Sequence, residues 1–259
     1  MDAYKKVGIA RSKGRASSLN YINAIFTDFI QMHGDRRFSD DKAIICGIAR
    51  LGGMNVTVIG IEKGQNTKDK ISRNFGSVHP EGYRKAMRQM ELAKKFNRPI
   101  ICFIDTPGAF CGIGAEERGQ GQAIAENLVK MMSLDVPIVS VLIGEGGSGG
   151  ALALGVADEV WMLENSIYSI ISPEGCASIL WKDTSKAPEA AEFLKLTPED
   201  LLRLGAIEKI IEENENFDLV FSAIKRDLIA VIKKNKQLSK EELLENRYNK
   251  FRRIGEVPL

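Results

Sequence analysis

Histidine is scarce in this sequence of 259 residues, which contains only His33 and His79. A catalytic serine or cysteine normally needs a histidine base, so this scarcity restricts the nucleophilic mechanisms open to the chain. Cysteine is also scarce, and its spacing excludes a CxxC-type zinc motif and a disulfide framework. We therefore expect a reducing compartment, the cytoplasm. The four cysteines are Cys46, Cys102, Cys111 and Cys176.

The sequence also lacks an excess of charge of one sign, and it lacks long apolar segments. The 36 Lys and Arg residues nearly balance the 34 Asp and Glu residues, which gives a net charge of +2. Such a balance creates no whole-protein field that would attract nucleic acid. No apolar segment reaches the roughly 18 residues of a membrane helix, so no membrane association is expected. The basic segment 233–253 is explained by a solvated helix face or an acidic partner surface.

The chain does contain an alternation of β-like and helical segments. AIICGIARL, a Gly52-Gly53 turn and NVTVIGIEKG predict a β-hairpin. Helical spacing follows at about residues 82–96 and 115–132, and each helix precedes a short apolar strand, PIICFI or PIVSVLI. The strands VWMLE and IYSII follow, and then a helix that begins at SPEG.

The two apolar strands belong to a short internal repeat. Pro99–Gly108 and Pro137–Gly146 both begin with Pro-Ile and end in a glycine turn, and they are offset by 38 residues. The order of strand, glycine turn and helix predicts parallel α/β layers whose ligands bind at the carboxyl ends of the strands.

We expect a single domain made of three consecutive regions. Residues 1–41 are a basic N-terminal segment with a first helix, residues 42–213 are the α/β core, and residues 214–259 are C-terminal helices. Capping-box spacing, at Thr197 with Asp200 and at Ser239 with Glu242, supports the helical character of the last part of the chain.

Five glycines lie within the seven residues 144–150 and fit more than one motif. Gly144, Gly146 and Gly149 match the GxGxxG of a dinucleotide site, and Glu164 follows at the distance of a ribose-binding acid. The mid-chain position, the short helix that follows and the carboxylate of Glu145 weaken this interpretation, which stays open from the residues alone.

Two further motifs are rejected because the sequence lacks residues that they require. The pattern GxSxG surrounds Ser148, but both histidines precede this serine, whereas the hydrolase histidine follows it. The segment Asp105–Gly108 matches the DxxG loop of a GTPase. A GTPase also requires GxxxxGK[ST], and the sequence has no Gly-Lys dipeptide.

The glycine-rich segment is suited to chemistry performed by backbone amides. The first amides of the helix that follows lack partners within the helix, and the helix dipole favours negative charge there. Since glycine has no Cβ, a ligand is able to approach this backbone closely, as in an oxyanion hole. Tight packing between helix and strand is the alternative explanation for the glycines. Amide donors without a nearby histidine suit enolate chemistry on a thioester.

Six segments in order resemble the carboxyltransferase α subunit of bacterial and plastid multi-subunit acetyl-CoA carboxylases. The resemblance covers about residues 20–213. The segments are NYINAIF at 20–26, HGDR at 33–36, NFGSVHPEGYRKAMR at 74–88, IDTPGAFCGIGAEERGQ at 104–120, IGEGGSGGALA at 143–153 and YSIISPEGCASILW at 168–181.

The resemblance implies an α/β fold, a crotonase-like spiral of ββα units with a helical C-terminal extension. It implies transfer of a carboxyl group from carboxybiotin to acetyl-CoA, giving malonyl-CoA, the first committed step of fatty acid synthesis. Biotin is expected on a separate biotin carboxyl carrier protein, and zinc on a β subunit and not on this chain. The expected assembly is an α2β2 heterotetramer that works with biotin carboxylase in a larger complex.

The resemblance also implies roles for individual residues. The amides of Gly146 and Gly147 are expected to stabilise the negative ureido oxygen that forms when carboxybiotin releases CO2. The residues expected to line the carboxybiotin pocket are Gly108, Ala109, Ser148, Gly149, Gly150 and Tyr168.

One departure from the family affects that pocket. The family usually has GAYPG where this chain has GAFCG at 108–112, so no role of the tyrosine hydroxyl transfers to this chain. Two alternatives stay open, a carboxyltransferase for another acyl-CoA such as propionyl-CoA and a stand-alone crotonase-type acyl-CoA enzyme.

Overall fold

The computed structural model of the protein describes residues 2–256. Within that range, one eight-stranded sheet is accompanied by twelve α-helices. The strands are β1 (Thr27–Met32), β2 (Ile44–Leu51), β3 (Met54–Ile61), β4 (Ile100–Thr106), β5 (Ile138–Gly147), β6 (Glu159–Leu163), β7 (Ile167–Ser169) and β8 (Lys209–Ile211). The helices are α1 (Ala3–Ala10), α2 (Ser18–Ile25), α3 (Thr67–Ser72), α4 (Pro80–Lys95), α5 (Ile113–Glu117), α6 (Gln120–Met132), α7 (Ser148–Leu152), α8 (Pro173–Trp181), α9 (Ala187–Phe193), α10 (Pro198–Arg203), α11 (Phe217–Asn235) and α12 (Lys240–Arg253).

The sheet has an antiparallel beginning and a parallel continuation. Its strand order is β1-β2-β3-β4-β5-β6-β8, and β7 pairs with the last residues of β5. The predicted hairpin is confirmed, because β2 and β3 are antiparallel and turn at Gly52 and Gly53, which both have positive φ. From β3 onward all neighbouring strands are parallel, so their carboxyl ends meet at one edge of the sheet.

The internal offset of 38 residues is the register between two neighbouring strands. Ile100 pairs with Ile138 and Ile101 with Val139 in the β4–β5 ladder. The two Pro-Ile strands therefore lie side by side in step, and the glycine turns that end them reach the same edge of the sheet. This placement confirms the predicted parallel α/β layering.

Both faces of the sheet are buried, as expected for parallel strands. Along β4, Ile100, Cys102 and Ile104 belong to the apolar cluster that α4 and α6 cover. Ile101 and Phe103 point to the opposite cluster, which contains residues of α2 and α11. This alternation follows from the two-residue period of a strand.

The structure corrects two predicted elements. The helix predicted for 115–132 is divided into α5 and α6, because Gly119 takes a left-handed conformation with φ of +81° between them. Strand β1 was not predicted, since its sequence TDFIQM is largely exposed at the edge of the sheet and lacks an apolar alternation. None of the helices within 2–256 is both long and apolar enough to cross a membrane.

The C-terminal helix α12 is attached to the sheet layer by a buried arginine. Ser239 and Glu242 form the predicted capping box at its start. The side chain of Arg247 is fully buried and donates to both carboxylate oxygens of Asp158 over 2.7 and 2.9 Å. It also donates to three main-chain carbonyl groups, those of Met131, Leu134 and Val136.

Arg247→Met is expected to destabilise the fold by about 3–5 kcal/mol, because it leaves the buried Asp158 carboxylate without its cation. The free energy of unfolding in urea measures this loss. Arg252→Met is the matched control, since Arg252 is exposed on the same helix and should change stability by less than about 0.5 kcal/mol. Equal stability of the two variants would show that Arg247 does not attach α12.

Candidate functional site

The ends of β4 and β5 meet in two turns that lie almost in contact. After β4, the Thr106 hydroxyl accepts from the amide of Gly108 over 3.0 Å and thereby fixes the first turn. The second turn is the segment from Gly146 into α7. A Cβ atom at Gly147 would come closer than 3 Å to the carbonyl of Pro107, and one at Gly150 closer than 3 Å to the amide of Ala109. Glycine is therefore required where the turns approach each other.

The structure separates the glycines of the second turn into two groups. Gly146 is buried inside β5, where it pairs with Thr106 of β4 and with Tyr168 of β7. Gly147 pairs with Ser169 and is the last residue of the strand. Their predicted role as amide donors stays a prediction, but strand pairing on both sides engages the backbone of Gly146.

The remaining residues of the turn lie in the first turn of α7. Ser148, Gly149 and Gly150 have amides without partners inside the helix, and this end carries the positive pole of the helix dipole. A Cβ atom at Gly149 would meet only Ile124, at an ordinary contact distance of 3.7 Å. Gly149 thus has room for a small side chain on the side of α6, whereas Gly147 and Gly150 present their backbone to the other turn.

Ser148 itself is exposed and has a positive φ of 49°, as at a nucleophile elbow. No histidine accompanies it in the part of the chain that the structure describes: His33 binds Asp40, and His79 stacks on Phe110 at 4.0 Å. The geometry therefore agrees with the rejection of serine hydrolysis drawn from the sequence.

The other predicted pocket residues divide between the two turns. Gly108 and Ala109 are half-buried and lie directly beside the start of α7. Tyr168 lies beneath the second turn, where its ring borders Gly146 and its hydroxyl lies near Gly155. Burial raises the pKa of Tyr168 to about 12, so the phenol stays neutral. This position favours packing over ligand contact, and the ligand contact stays a prediction.

A narrow cleft of about 40 Å³ opens at the second turn. Its wall includes Pro107, Gly147, Ser148 and Ser169. Sites that enclose an organic ligand usually measure roughly 300–1,000 Å³. The cleft therefore supplies one wall of a site and does not enclose a ligand by itself.

A chain of alternating charges lies beneath the two turns. Lys63, which follows β3, places its ammonium group 2.7 Å from Asp105 and 2.7 Å from Glu145. Arg11, which follows α1, lies 2.6 Å from Glu145 and 2.7 Å from Glu174 at the start of α8. Asp105 also accepts from the main-chain amide of Glu145 over 2.9 Å. This charge chain joins the ends of three strands and two helices immediately before the glycine turn.

The side chains of the charge chain keep one another ionised. Burial alone would raise the pKa of Glu145, but Lys63 and Arg11 outweigh it and keep that pKa below its usual value. Burial alone would lower the pKa of Lys63, but the carboxylates of Asp105 and Glu145 raise it. Glu145 and Lys63 therefore stay charged at neutral pH, and their attraction fixes the strand ends.

Sequence reasoning did not find the charge chain. Arg11 and Glu145 are 134 positions apart, and no motif relates them. Glu145 was noted only as an obstacle to a pyrophosphate, and Asp105 only as part of a GTPase pattern. The available signal was the position of both acids at the ends of predicted parallel strands. Among the described residues, no group of three or more His, Cys, Asp or Glu side chains is arranged to hold a metal ion.

Comparisons with known proteins give a consistent result. The family model for acetyl co-enzyme A carboxylase carboxyltransferase-like proteins matches residues 1–255. Acetyl-coenzyme A carboxylase carboxyl transferase subunit alpha of Ruminiclostridium cellulolyticum is 61% identical over 258 residues, which are 99% of both chains. In Clostridium tetani, a protein named subunits beta/alpha is 54% identical over 261 residues, 99% of this chain and 45% of that protein.

The solved structures agree on the fold. The beta subunit of P. aeruginosa geranyl-CoA carboxylase superimposes with a TM-score of 0.68 at 15% identity, over 90% of this chain and 44% of that one. The crotonase-like α/β fold implied by the sequence resemblance is confirmed.

Lys63→Met is expected to destabilise the protein by about 3–5 kcal/mol at pH 7, because two buried carboxylates lose their shared cation. The pKa of Glu145 lies below its unfolded value, so its contribution to stability is present above that value and is lost as the pH falls. The deficit of the variant should therefore begin to shrink at about pH 5 and be smaller at pH 4 than at pH 7. Urea unfolding at pH 7 and pH 4 measures this difference.

Lys240→Met is the control for that experiment. Lys240 pairs with Asp135 over 2.8 Å, but its side chain is exposed, so the loss should stay below about 1 kcal/mol at both pH values. A Lys63→Met deficit that is the same at pH 4 and pH 7 would contradict the electrostatic explanation.

Proposed function

Because this chain belongs to the family of acetyl-CoA carboxylase carboxyltransferase α subunits, we propose that its second glycine turn, residues 146–150, binds the ureido group of carboxybiotin. The family reaction transfers a carboxyl group to acetyl-CoA and forms malonyl-CoA. Biotin, carried on a separate protein, supplies the carboxyl group and, once CO2 has left, the base that takes a proton from the acetyl methyl group. The residues of this chain bind and orient the reacting group.

The small cleft at the start of α7, which Gly146, Gly147 and Ser148 border, is the observation that carries this proposal. The amides of Gly147 and Ser148 lie at the positive end of α7 and stabilise the charge that builds up on the ureido oxygen as the N–C bond breaks. The first turn at Gly108 and Ala109 forms the adjoining wall. No histidine lines the small cleft, which agrees with proton transfer to the biotin itself.

A second chain completes this site. The cleft at the turn is too small to enclose a ligand, and four apolar side chains are exposed on the β7–α8 connection, α8 and α9. We propose that the β subunit covers this apolar patch, which consists of Ile170, Ile179, Leu180 and Phe193. The joined beta/alpha protein of C. tetani supports this partner.

The larger assembly follows the same proposal. An α2β2 heterotetramer, with zinc on the β subunit, would receive carboxybiotin from a biotin carboxyl carrier protein that biotin carboxylase has loaded. The four cysteines are unpaired, which agrees with a location in the cytoplasm.

Gly147→Ala is expected to lower kcat about a hundredfold or more, because its methyl group would collide with the carbonyl of Pro107 and displace the amides of the turn. The assay mixes this chain with its β subunit, malonyl-CoA and biocytin and follows loss of malonyl-CoA. The same assay on the isolated chain tests the stand-alone alternative, which predicts turnover without β. Propionyl-CoA and acetyl-CoA, compared in the forward direction, test the preference for the acyl group.

Gly121→Ala is the matched control, because Gly121 is exposed in α6 and a Cβ atom there meets nothing within 4 Å. It should retain full activity. Gly147→Val enlarges the same collision and should abolish activity. Wild-type activity in Gly147→Ala would contradict the assignment of the turn.

Ile179→Glu is expected to prevent assembly with the β subunit, because it introduces a charge into the apolar patch. The folded chain should be unaffected, since this side chain is 70% exposed. Size-exclusion chromatography of the mixed subunits measures assembly, and circular dichroism of the isolated chain checks folding. Ile30→Glu, on the exposed edge strand β1, is the control, and assembly of both variants would show that β binds elsewhere.

A further inference from the structure

Tyr83 belongs to the motifs of the family resemblance, but the chemistry proposed above does not use it. It lies near the start of α4, and its side chain is fully buried in the apolar cluster that α4 and α6 cover. In the described part of the chain its hydroxyl group has no hydrogen-bond partner. A phenylalanine would fill the same space without a polar atom, so burial alone does not explain a tyrosine at this position.

The unpartnered hydroxyl destabilises the folded chain. A buried polar group that gives up its hydrogen bonds to water and gains none in return costs free energy. Burial also raises the pKa of Tyr83, so the phenol stays neutral and keeps a proton that it can donate. Native proteins retain few such groups, and a role in catalysis is one reason to retain one.

The hydroxyl lies where the two turns of the site meet. A Cβ atom at Gly150 would lie 3.0 Å from the hydroxyl oxygen of Tyr83 and 2.5 Å from the amide nitrogen of Ala109. The hydroxyl and the Gly108–Ala109 peptide are thus close to the same point, at the contact between the turns. This peptide also forms the wall of the site beside the start of α7.

The residue after this peptide is already held in place. The amide of Phe110 donates to the carbonyl of Val78 over 3.0 Å. The side-chain amide of Gln120, at the start of α6, donates to the carbonyls of Phe110 and Val78 over 2.9 and 2.8 Å. The first turn is therefore anchored at Phe110, and the freedom that remains lies in the peptide before it.

The Gly108–Ala109 peptide offers two hydrogen-bonding groups to a hydroxyl. Its carbonyl oxygen accepts one hydrogen bond, from Thr106 over 2.9 Å, and a carbonyl oxygen has lone pairs for two. Its N–H group, on Ala109, has no hydrogen-bond acceptor within residues 2–256. A neutral phenol both donates and accepts, so it pairs with either group. A bond between Tyr83 and this peptide therefore needs only a small change in the spacing of the turns.

We propose that Tyr83 is a positioning residue, whose hydroxyl forms a hydrogen bond to the Gly108–Ala109 peptide when negative charge develops on the ligand at the second turn. The developing charge attracts the amides of the second turn, and Gly150 moves with them against the first turn. The hydroxyl then supports the first turn from the side of α4, so that the spacing of the two turns is kept. This inference rests on the proposed function and adds a residue that acts through the turns without touching the ligand.

Tyr83→Phe removes the hydroxyl and keeps the ring, and we expect it to lower kcat about tenfold. Because the bond forms only as charge develops, the KM values for biocytin and malonyl-CoA should stay within about twofold of wild type. The assay uses the complex with the β subunit and follows loss of malonyl-CoA. The melting temperature of the isolated chain should equal or exceed that of wild type, since an unpartnered buried hydroxyl is removed.

Tyr21→Phe is the matched control, because Tyr21 also has a buried hydroxyl without a partner in the described structure. Its ring lies in the apolar cluster on the opposite face of the sheet, next to Phe103 and Phe221. This variant should change stability in the same direction and retain the kinetic constants of wild type. A loss of kcat confined to Tyr83→Phe therefore reports the position of the hydroxyl at the turns.

Three results with an active wild-type complex would overturn the inference alone. An unchanged kcat in Tyr83→Phe would show that the hydroxyl has no part in the reaction. A lower melting temperature would show that the hydroxyl is bonded in the free protein and has a structural role, and an increase confined to a KM value would assign it to ligand binding. If the wild-type complex itself showed no biocytin-dependent turnover, the proposed function would fail and this inference with it.

Discussion

The backbone of the turn after β5 passes so close to the turn after β4 that no side chain fits between them. At Gly147 and Gly150 a single methyl group would collide with main-chain atoms of the other turn. Because β4 and β5 pair in step, the two turns reach the same edge of the sheet. Lys63 forms ion pairs with Asp105 and Glu145, the acids that precede the turns. The site depends on this contact, because an amide donor is useful only when its direction is fixed before the ligand arrives.

The parts of the structure that follow from local sequence were predictable. We could predict the hairpin at Gly52 and Gly53 and the offset of 38 residues between the Pro-Ile strands. Turn chemistry and strand repetition are both encoded within short segments. The break at Gly119 was missed, since one glycine within a helical pattern is usually tolerated. Strand β1 was missed because an exposed edge strand carries no burial pattern.

The predicted site stays a prediction, and the side chains that support it were not found from the sequence. The sequence placed the glycine segment at a strand end, but which glycines face a ligand depends on pairing with β4 and β7, which no local pattern specifies. The charge chain could not be predicted for the same reason. Arg11 and Glu174 are 163 positions apart and meet only through the packing of α1. Long-range pairs of this kind are decided by topology and not by composition.

Under the proposed function, the alternation of charges beneath the turn explains why backbone amides bind the developing charge. Lys63 pairs with Asp105 and Glu145, and Arg11 pairs with Glu145 and Glu174, so little uncompensated positive charge faces the cleft. A free cation there would bind the carboxylate of incoming carboxybiotin as strongly as the charge that forms during the reaction, and binding both states equally gives no acceleration. Amide dipoles fixed at one position act mainly on charge that develops at that position. The scarcity of histidine and the neutralised cations are both expected under the proposed function, in which the chain supplies oriented dipoles and the visiting substrate supplies the base.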